Sequence, residues 1–213
     1  MSDIVKNFKN IKSIINNSNV NIIAVSKTFT FDKIKPLVDY GHFHYGENKV
    51  QEAKKKWLNI RQKNFNLRLH MIGKLQTNKA KEAVELFDYI HSVDSEKLAL
   101  CLAKFENIIN KRNKYFIQVN LGNEKQKSGI AINKLFDFYA FCKKLSLNVI
   151  GLMCIPPNDN NSKKHFIELT KLNRSLNLNE ISIGMSADYL DAVQCGSTYV
   201  RIGSAIFGDR ATK

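Results

Sequence analysis

The chain has 213 residues, 44% hydrophobic and 24% charged, enough for one domain of barrel size with a substantial core. No apolar run approaches the ~20 residues that span a bilayer, and the start, Met-Ser-Asp-Ile-Val-Lys, lacks the charged-then-apolar pattern of a secretory signal. The net charge of +14 would suit a nucleic-acid partner, but the excess is scattered as isolated lysines with Lys54–Lys56 as the densest run, the pattern of a solvated face, so no such partner is expected.

The four cysteines, Cys101, Cys142, Cys154 and Cys195, are far apart and form no C-x-x-C pair. Neither zinc nor a disulfide framework is indicated, and a reduced, cytoplasmic setting is expected.

In chain order, Ile4, Phe8, Ile11 and Ile15 recur at helical spacing and predict an amphipathic helix over 3–16. Ile22 to Val25 is a short, β-branched run ending at Ser26-Lys27, the pattern of a strand buried on both faces in a parallel sheet. Thr30 or Asp32 caps a helix to about residue 40, which Gly41 ends. A strand and turn over 43–48 lead into a helix over 49–60. Strands follow at 69–73, 89–93, 115–121, 149–155, 181–185 and 199–207. The helices between them are Thr77-capped to 87, Ser95-opened to 110, one to 145 after a polar loop at 122–129, one over 162–176, and one opened by Ser186.

Eight strands alternate with helices at a period of roughly 25–30 residues, the size of one βα unit. An α/β fold is expected: a single (β/α)8 barrel of the TIM type over 1–213, with an additional N-terminal helix. A doubly wound open sheet is the alternative, but short strands at even spacing favour closure. No helix is expected after the eighth strand, and the N-terminal helix covers that gap in the outer ring.

In a parallel α/β fold, chemistry sits at the strands' carboxyl ends. Those ends carry Lys27, Asn48, Gly73, Asn120, Cys154, Ser186 and Gly203-Ser204. A lysine at such an end either reaches past the strand into water or, partly dehydrated, serves as an amine nucleophile toward aldehydes. Ser186 is a helix-cap candidate, and Gly203 lets the backbone approach closely beside it. The loops after the seventh and eighth strands are where barrels place phosphate. Alternation puts Tyr199, Arg201 and Gly203 on one strand face and the apolar Val200 and Ile202 on the other. Arg201 then points into the barrel and needs an acceptor, for which Glu47 is a structural candidate. An amine, an anion site and an inward arginine on one barrel face suggest pyridoxal phosphate (PLP), whose aldehyde, phosphate and ring nitrogen need those three partners.

Several segments carry a family resemblance, beginning with Ala24-Val-Ser-Lys-Thr28, Tyr45-Gly-Glu-Asn48, Val50-Gln-Glu52 and His70-Met-Ile-Gly-Lys-Leu-Gln-Thr-Asn-Lys79. It continues through Gln118-Val-Asn120, Lys127-Ser-Gly129, Gly151-Leu-Met-Cys-Ile-Pro156, Ser182-Ile-Gly-Met-Ser186, Gly196-Ser-Thr198 and Val200-Arg-Ile-Gly-Ser-Ala-Ile-Phe-Gly208. Over these segments the chain resembles the pyridoxal phosphate homeostasis proteins, single-domain relatives of the alanine racemase barrel. The resemblance implies that Lys27 forms an internal aldimine with pyridoxal 5'-phosphate and that Arg201 faces the pyridine nitrogen. It implies that Ser186, Gly203 and Ser204 hold the phosphate and that Asn48 and Met185 line the cofactor. Ser204 stands where the family often has Thr, which keeps the hydroxyl.

Racemases of this barrel type carry a second, β-rich domain and take an opposite-face base from a partner subunit. The 213 residues leave no room for such a domain, so two-base proton transfer is expected to lack one base. Arg201 cannot protonate the ring nitrogen, because its pKa stays above ~12. The expected role is therefore a monomeric PLP binder without robust catalysis, carrying or buffering the cofactor for PLP-dependent apoenzymes. Effects on amino-acid and keto-acid balance would be indirect. The rival reading is a low-activity PLP-dependent amino-acid racemase or lyase.

Overall fold

Eight parallel strands close into a barrel in the computed structural model, which describes residues 2–63, 66–122 and 128–209. The strands are β1 (Asn21–Val25), β2 (His44–Glu47), β3 (Arg68–Met71), β4 (Tyr89–Val93), β5 (Lys114–Asn120), β6 (Val149–Met153), β7 (Glu180–Met185) and β8 (Tyr199–Ile202). Neighbours in sequence are neighbours in space. Pairing of β1 with β8 and of β4 with β5 completes the ring, as the (β/α)8 expectation requires. A further two-residue strand, Ile130–Ala131, pairs with Val119 and Asn120 outside the ring. Sequence patterning missed it, because two residues are too few to show a period. Of the polar loop expected at 122–129, residues 123–127 lie outside the described residues, and so does Lys127 of the family-like segment.

The helices are α1 (Asp3–Ile15), α2 (Phe31–Asp39), α3 (Val50–Lys63), α4 (Ala80–Leu86), α5 (Glu96–Ile109), α6 (Leu135–Lys144), α7 (Ser162–Ser175), α8 (Tyr189–Gln194) and α9 (Ser204–Phe207). Ser95 caps α5 as expected, accepting from Leu98 N at 3.4 Å. Thr77 instead opens a 3-10 turn, Thr77–Lys79, ahead of α4. The eighth strand stops at Ile202, and a one-turn helix, α9, follows where none was expected. The apolar Ala-Ile-Phe run that suggested a longer strand is the buried side of that turn, with Ile206 and Phe207 both buried. α1 packs on α9 and buries Ile4, Phe8, Ile11 and Ile15, and Asn7 Nδ2 donates to Ile206 O at 3.2 Å. The outer ring is thus completed by the N-terminal helix.

Two apolar layers result. Outward-facing strand residues such as Ile22, Ala24, Tyr45, Leu69, Val200 and Ile202 join the inner faces of the helices in one large cluster. Inside the ring lies a smaller cluster of Ile23, Tyr89, Phe116, Met153 and Tyr199. Gly151 on β6 stands in register with Glu180 on β7. A Cβ there would lie 1.9 Å from Glu180 O, a backbone atom that cannot swing aside. Gly151→Ala should therefore cost about 3 kcal/mol by overpacking, read as a fall in the urea midpoint at unchanged m-value. A midpoint equal to that of the wild type would show that the two strands separate freely.

Candidate functional site

The carboxyl ends of the strands surround a cavity of about 350 Å3, within the range of small-ligand sites. Lys27, Asn48, Met185, Ser186, Arg201, Gly203 and Ser204 all line it, beside the apolar Val25, Phe29, Ile72 and Ile155. Gly73 and Cys154 also end strands but stay behind this wall. A Cβ on Gly73 would lie 2.5 Å from Asn48 O, so glycine there lets the Asn48 backbone take its place. The Cys154 side chain is buried in the outer cluster.

Arg201 enters the barrel interior, as alternation along β8 requires, and is 5% exposed. Its Nη1 donates to Ser182 O at 2.7 Å and Ser182 Oγ at 2.8 Å, and its Nη2 donates to Cys154 O at 2.9 Å. Glu47 is not the acceptor. That carboxylate points outward, where Oε1 accepts from Ser26 Oγ (2.7 Å), Lys56 Nζ (2.9 Å) and Trp57 Nε1 (2.9 Å). All the partners of Arg201 among the described residues are neutral. Among the described residues three of its five N–H donors are occupied, and Arg201 itself lines the cavity. Burial lowers the Arg201 pKa, yet a guanidinium stays charged.

Ser182 reaches Arg201 because β7 carries an extra residue. Ser182 pairs with Tyr199 and Met185 with Arg201, so three steps on β7 match two on β8. Gly184 absorbs the bulge at φ +90°, a conformation costly for other residues. The bulge turns Met185 and Ser186 toward the mouth.

Below Ser182 runs a column of histidines that sequence analysis missed. His91 Nδ1 lies 2.9 Å from Ser182 Oγ, His70 Nδ1 2.9 Å from His91 Nε2, and His44 Nδ1 2.8 Å from His70 Nε2. Donor–acceptor matching lets the rings point all one way or all the other, and the charge of Arg201 favours the arrangement with their lone pairs turned toward it. In that arrangement Ser182 Oγ accepts from Arg201 and passes its own O–H to His91 Nδ1. His91 then donates from Nε2 to His70 Nδ1, and His70 from Nε2 to His44 Nδ1. Every histidine in the column is neutral and oriented alike. Burial depresses all three: His44 to about 4, and His70 and His91 well below the ordinary 6.5. The signal was present in the sequence, since each of His44, His70 and His91 stands two positions from another inward residue of its strand.

At the rim, Ser186 does not cap α8, which begins three residues later at Tyr189. Asp188 Oδ1 takes the Met185 N–H instead, at 2.6 Å. Ser186 Oγ accepts from Gly203 N at 3.2 Å and Ala205 N at 3.5 Å, so it caps the entry to α9 across the mouth. The Ser204 N–H has no partner among the described residues and, with the Ser186 and Ser204 hydroxyls, forms a donor-rich corner.

Lys27, half-buried, leaves β1 in a tight turn closed by Phe29 N donating to Ser26 O at 3.3 Å. Thr28, third in that turn, has φ +68°. This is the type II pattern, which ordinarily takes glycine at that position. A β-branched residue there stores on the order of 1–2 kcal/mol of strain.

The alanine racemase N-terminal domain family matches residues 1–211. Curated proteins from Vibrio cholerae (37% identical over 204 residues, 91% of this chain and 86% of theirs) and Pasteurella multocida (38%, 91% and 88%) are named pyridoxal phosphate homeostasis proteins. The chain belongs to the pyridoxal phosphate homeostasis protein family. PipY of Synechococcus elongatus, solved with PLP bound, superposes with a TM-score of 0.89 at 33% identity, covering 96% of this chain and all of PipY. An alanine racemase from Clostridium difficile shares the fold at a TM-score of 0.77 and 14% identity, with 57% of its length covered. In this homeostasis-family chain all seven candidate residues line one cavity.

The histidines set the pH response. Their folded pKa values are lowered, with His42 near 3 and His44 near 4, so the unfolded chain binds more protons below pH ~6.5. Stability is then fully present above the unfolded pKa and lost as pH falls toward the folded values. Asp94 and Glu106, raised by burial, act in the opposite direction but are outnumbered by the four histidines. Each histidine should cost about 1 kcal/mol between pH 7 and 5.5. Urea unfolding at the two pH values should show a loss of several kcal/mol; equal stability would mean that the column holds protons.

Proposed function

We propose that this chain binds pyridoxal 5'-phosphate in the mouth cavity and carries or buffers it as part of cellular PLP homeostasis. The observation that carries the reading is Arg201: a buried cation whose hydrogen-bond partners among the described residues are neutral, lining a cavity shared with Lys27 and a donor-rich corner. An unprotonated pyridine nitrogen is an acceptor of that kind, and the residues present fit the group. Lys27 would supply the amine that the cofactor's aldehyde needs. Ser186, Gly203 and Ser204 would hold the phosphate, while Asn48 and Met185 would bound the ring. When bound, the cofactor supplies an aldehyde for imine exchange with amines.

The chain's own residues favour holding over catalysis. A guanidinium facing the ring nitrogen would donate a hydrogen bond but no proton, and would leave the ring a poor electron sink. The neutral histidine column brings no acid nearer. Exchange of Lys27 for an incoming amine needs no carbanion and remains open, which suits delivery to PLP-dependent apoenzymes.

Borohydride treatment of the PLP-loaded protein should fix a phosphopyridoxyl mass on the Lys27 peptide. Lys27→Ala should fold with unchanged far-UV circular dichroism but take no label; a label on a different lysine would remove Lys27 from the assignment.

Carrying and catalysis separate by alanine α-proton exchange in deuterated water, followed by NMR. The bound cofactor's absorbance should respond to added alanine while exchange stays far below ~1 s⁻¹, the lower end of common enzyme rates. Exchange at or above that rate would establish the low-activity racemase or lyase instead.

A further inference from the structure

Beneath Lys27, on the helix side of the barrel, lies an ionic cluster that the cavity does not use. Lys56 Nζ donates to Ser26 O at 2.7 Å, Glu47 Oε1 at 2.9 Å and Glu52 Oε1 at 3.1 Å. Those three bonds use all three ammonium hydrogens. The Lys56 side chain is 7% exposed and the Glu47 side chain fully buried. Glu52 Oε1 also accepts the Thr28 N–H at 2.5 Å, and Glu47 Oε1 accepts from Ser26 Oγ at 2.7 Å. The peptide groups on both sides of Lys27 are therefore gripped from α3: the Ser26 carbonyl by Lys56 and the Thr28 amide by Glu52. Between the grips, Thr28 holds the left-handed φ of +68° that a type II turn asks of glycine. Left to itself, a threonine would leave that conformation, and the root of the Lys27 side chain would turn with it.

We infer that Glu52 and Lys56 are positioning residues for Lys27, forcing the Ser26–Phe29 turn into the conformation that aims its amine into the cavity. The helix clamp does for Thr28 what a glycine would do unaided. The inference rests on the reading that Lys27 attaches the cofactor, and it predicts how fast that attachment occurs.

Glycine at position 28 separates the clamp from general stabilisation, because it accepts a left-handed φ without help. Glu52→Ala should slow covalent attachment of PLP at Lys27 about tenfold, the size of a mispopulated turn. Adding Thr28→Gly to that variant should restore the rate to within about threefold of wild type, and Thr28→Gly alone should stay near wild type. Attachment is followed by absorbance and by borohydride mass labelling. A second readout uses the cofactor-free protein: hydrogen exchange at the Thr28 amide should be protected in the wild type and at least about tenfold faster in Glu52→Ala. Should Glu52→Ala fail to fold, Glu52→Gln, which keeps an acceptor but loses the charge, carries the same test with a smaller effect.

Wild-type attachment rates in folded Glu52→Ala would overturn the inference. So would a slow Glu52→Ala that Thr28→Gly does not rescue, since the clamp would then act on something other than the turn. Failure of wild-type Lys27 to take the label would overturn the PLP reading itself and the inference with it. That outcome is distinct, because it appears without any mutation.

Discussion

A guanidinium buried inside a barrel without a carboxylate is the constraint around which this protein is built. Burying a charge costs several kcal/mol unless polar groups surround it, and the hydrogen-bond partners of Arg201 among the described residues are all neutral. Two carbonyls and a hydroxyl take three of its donors. The bulge at Gly184 brings Ser182 to it, and Arg201 lines the cavity. A ligand acceptor placed there completes the coordination that the protein leaves open. The same pressure explains why no acidic side chain enters the arrangement. A carboxylate at this position would pair with Arg201 and turn its donors away from the ligand.

The two apolar layers divide the work. The outer one, between strands and helices, is large and aliphatic and holds most of the buried apolar surface. The interior carries histidines, tyrosines and a serine among a few apolar residues, with His70 stacked on Tyr89 at 4.2 Å and His91 on Phe116 at 4.3 Å. A barrel interior is more often filled with branched aliphatic side chains. Here every polar interior group must meet a partner, which fixes the packing more narrowly than aliphatic contacts do.

How much of this was legible beforehand follows from the kind of pattern involved. Strand order, closure and the inward turn of Arg201 rest on period-two alternation and βα spacing, both local in sequence. So does the gathering of Lys27, Asn48 and Ser186 at one end, since parallel strands share a direction. What Ser186 does was not legible. Serine before a helical stretch reads as the cap of that helix, but its hydroxyl instead serves α9, 17 residues on, across the mouth. Glu47 is misleading for a related reason: a carboxylate at a strand end suggests a partner for the inward arginine, while Lys56 and Trp57 claim it on the opposite face. The histidine column needs three strands in register before it exists, and no single stretch of chain announces it.

That column has a sense of direction. Each imidazole presents its lone pair toward Arg201 and its N–H toward the base of the barrel, so the ring dipoles add head to tail. The field of the cation is answered by aligned dipoles on successive strands, much as a file of ordered water answers an ion in a narrow pore. Reversing one ring would set lone pair against lone pair at one junction and N–H against N–H at the other. The rings can therefore turn over only together. The barrel interior acts as a polarised solid rather than as a passive filling, and its polarity is set by the charge of one buried arginine.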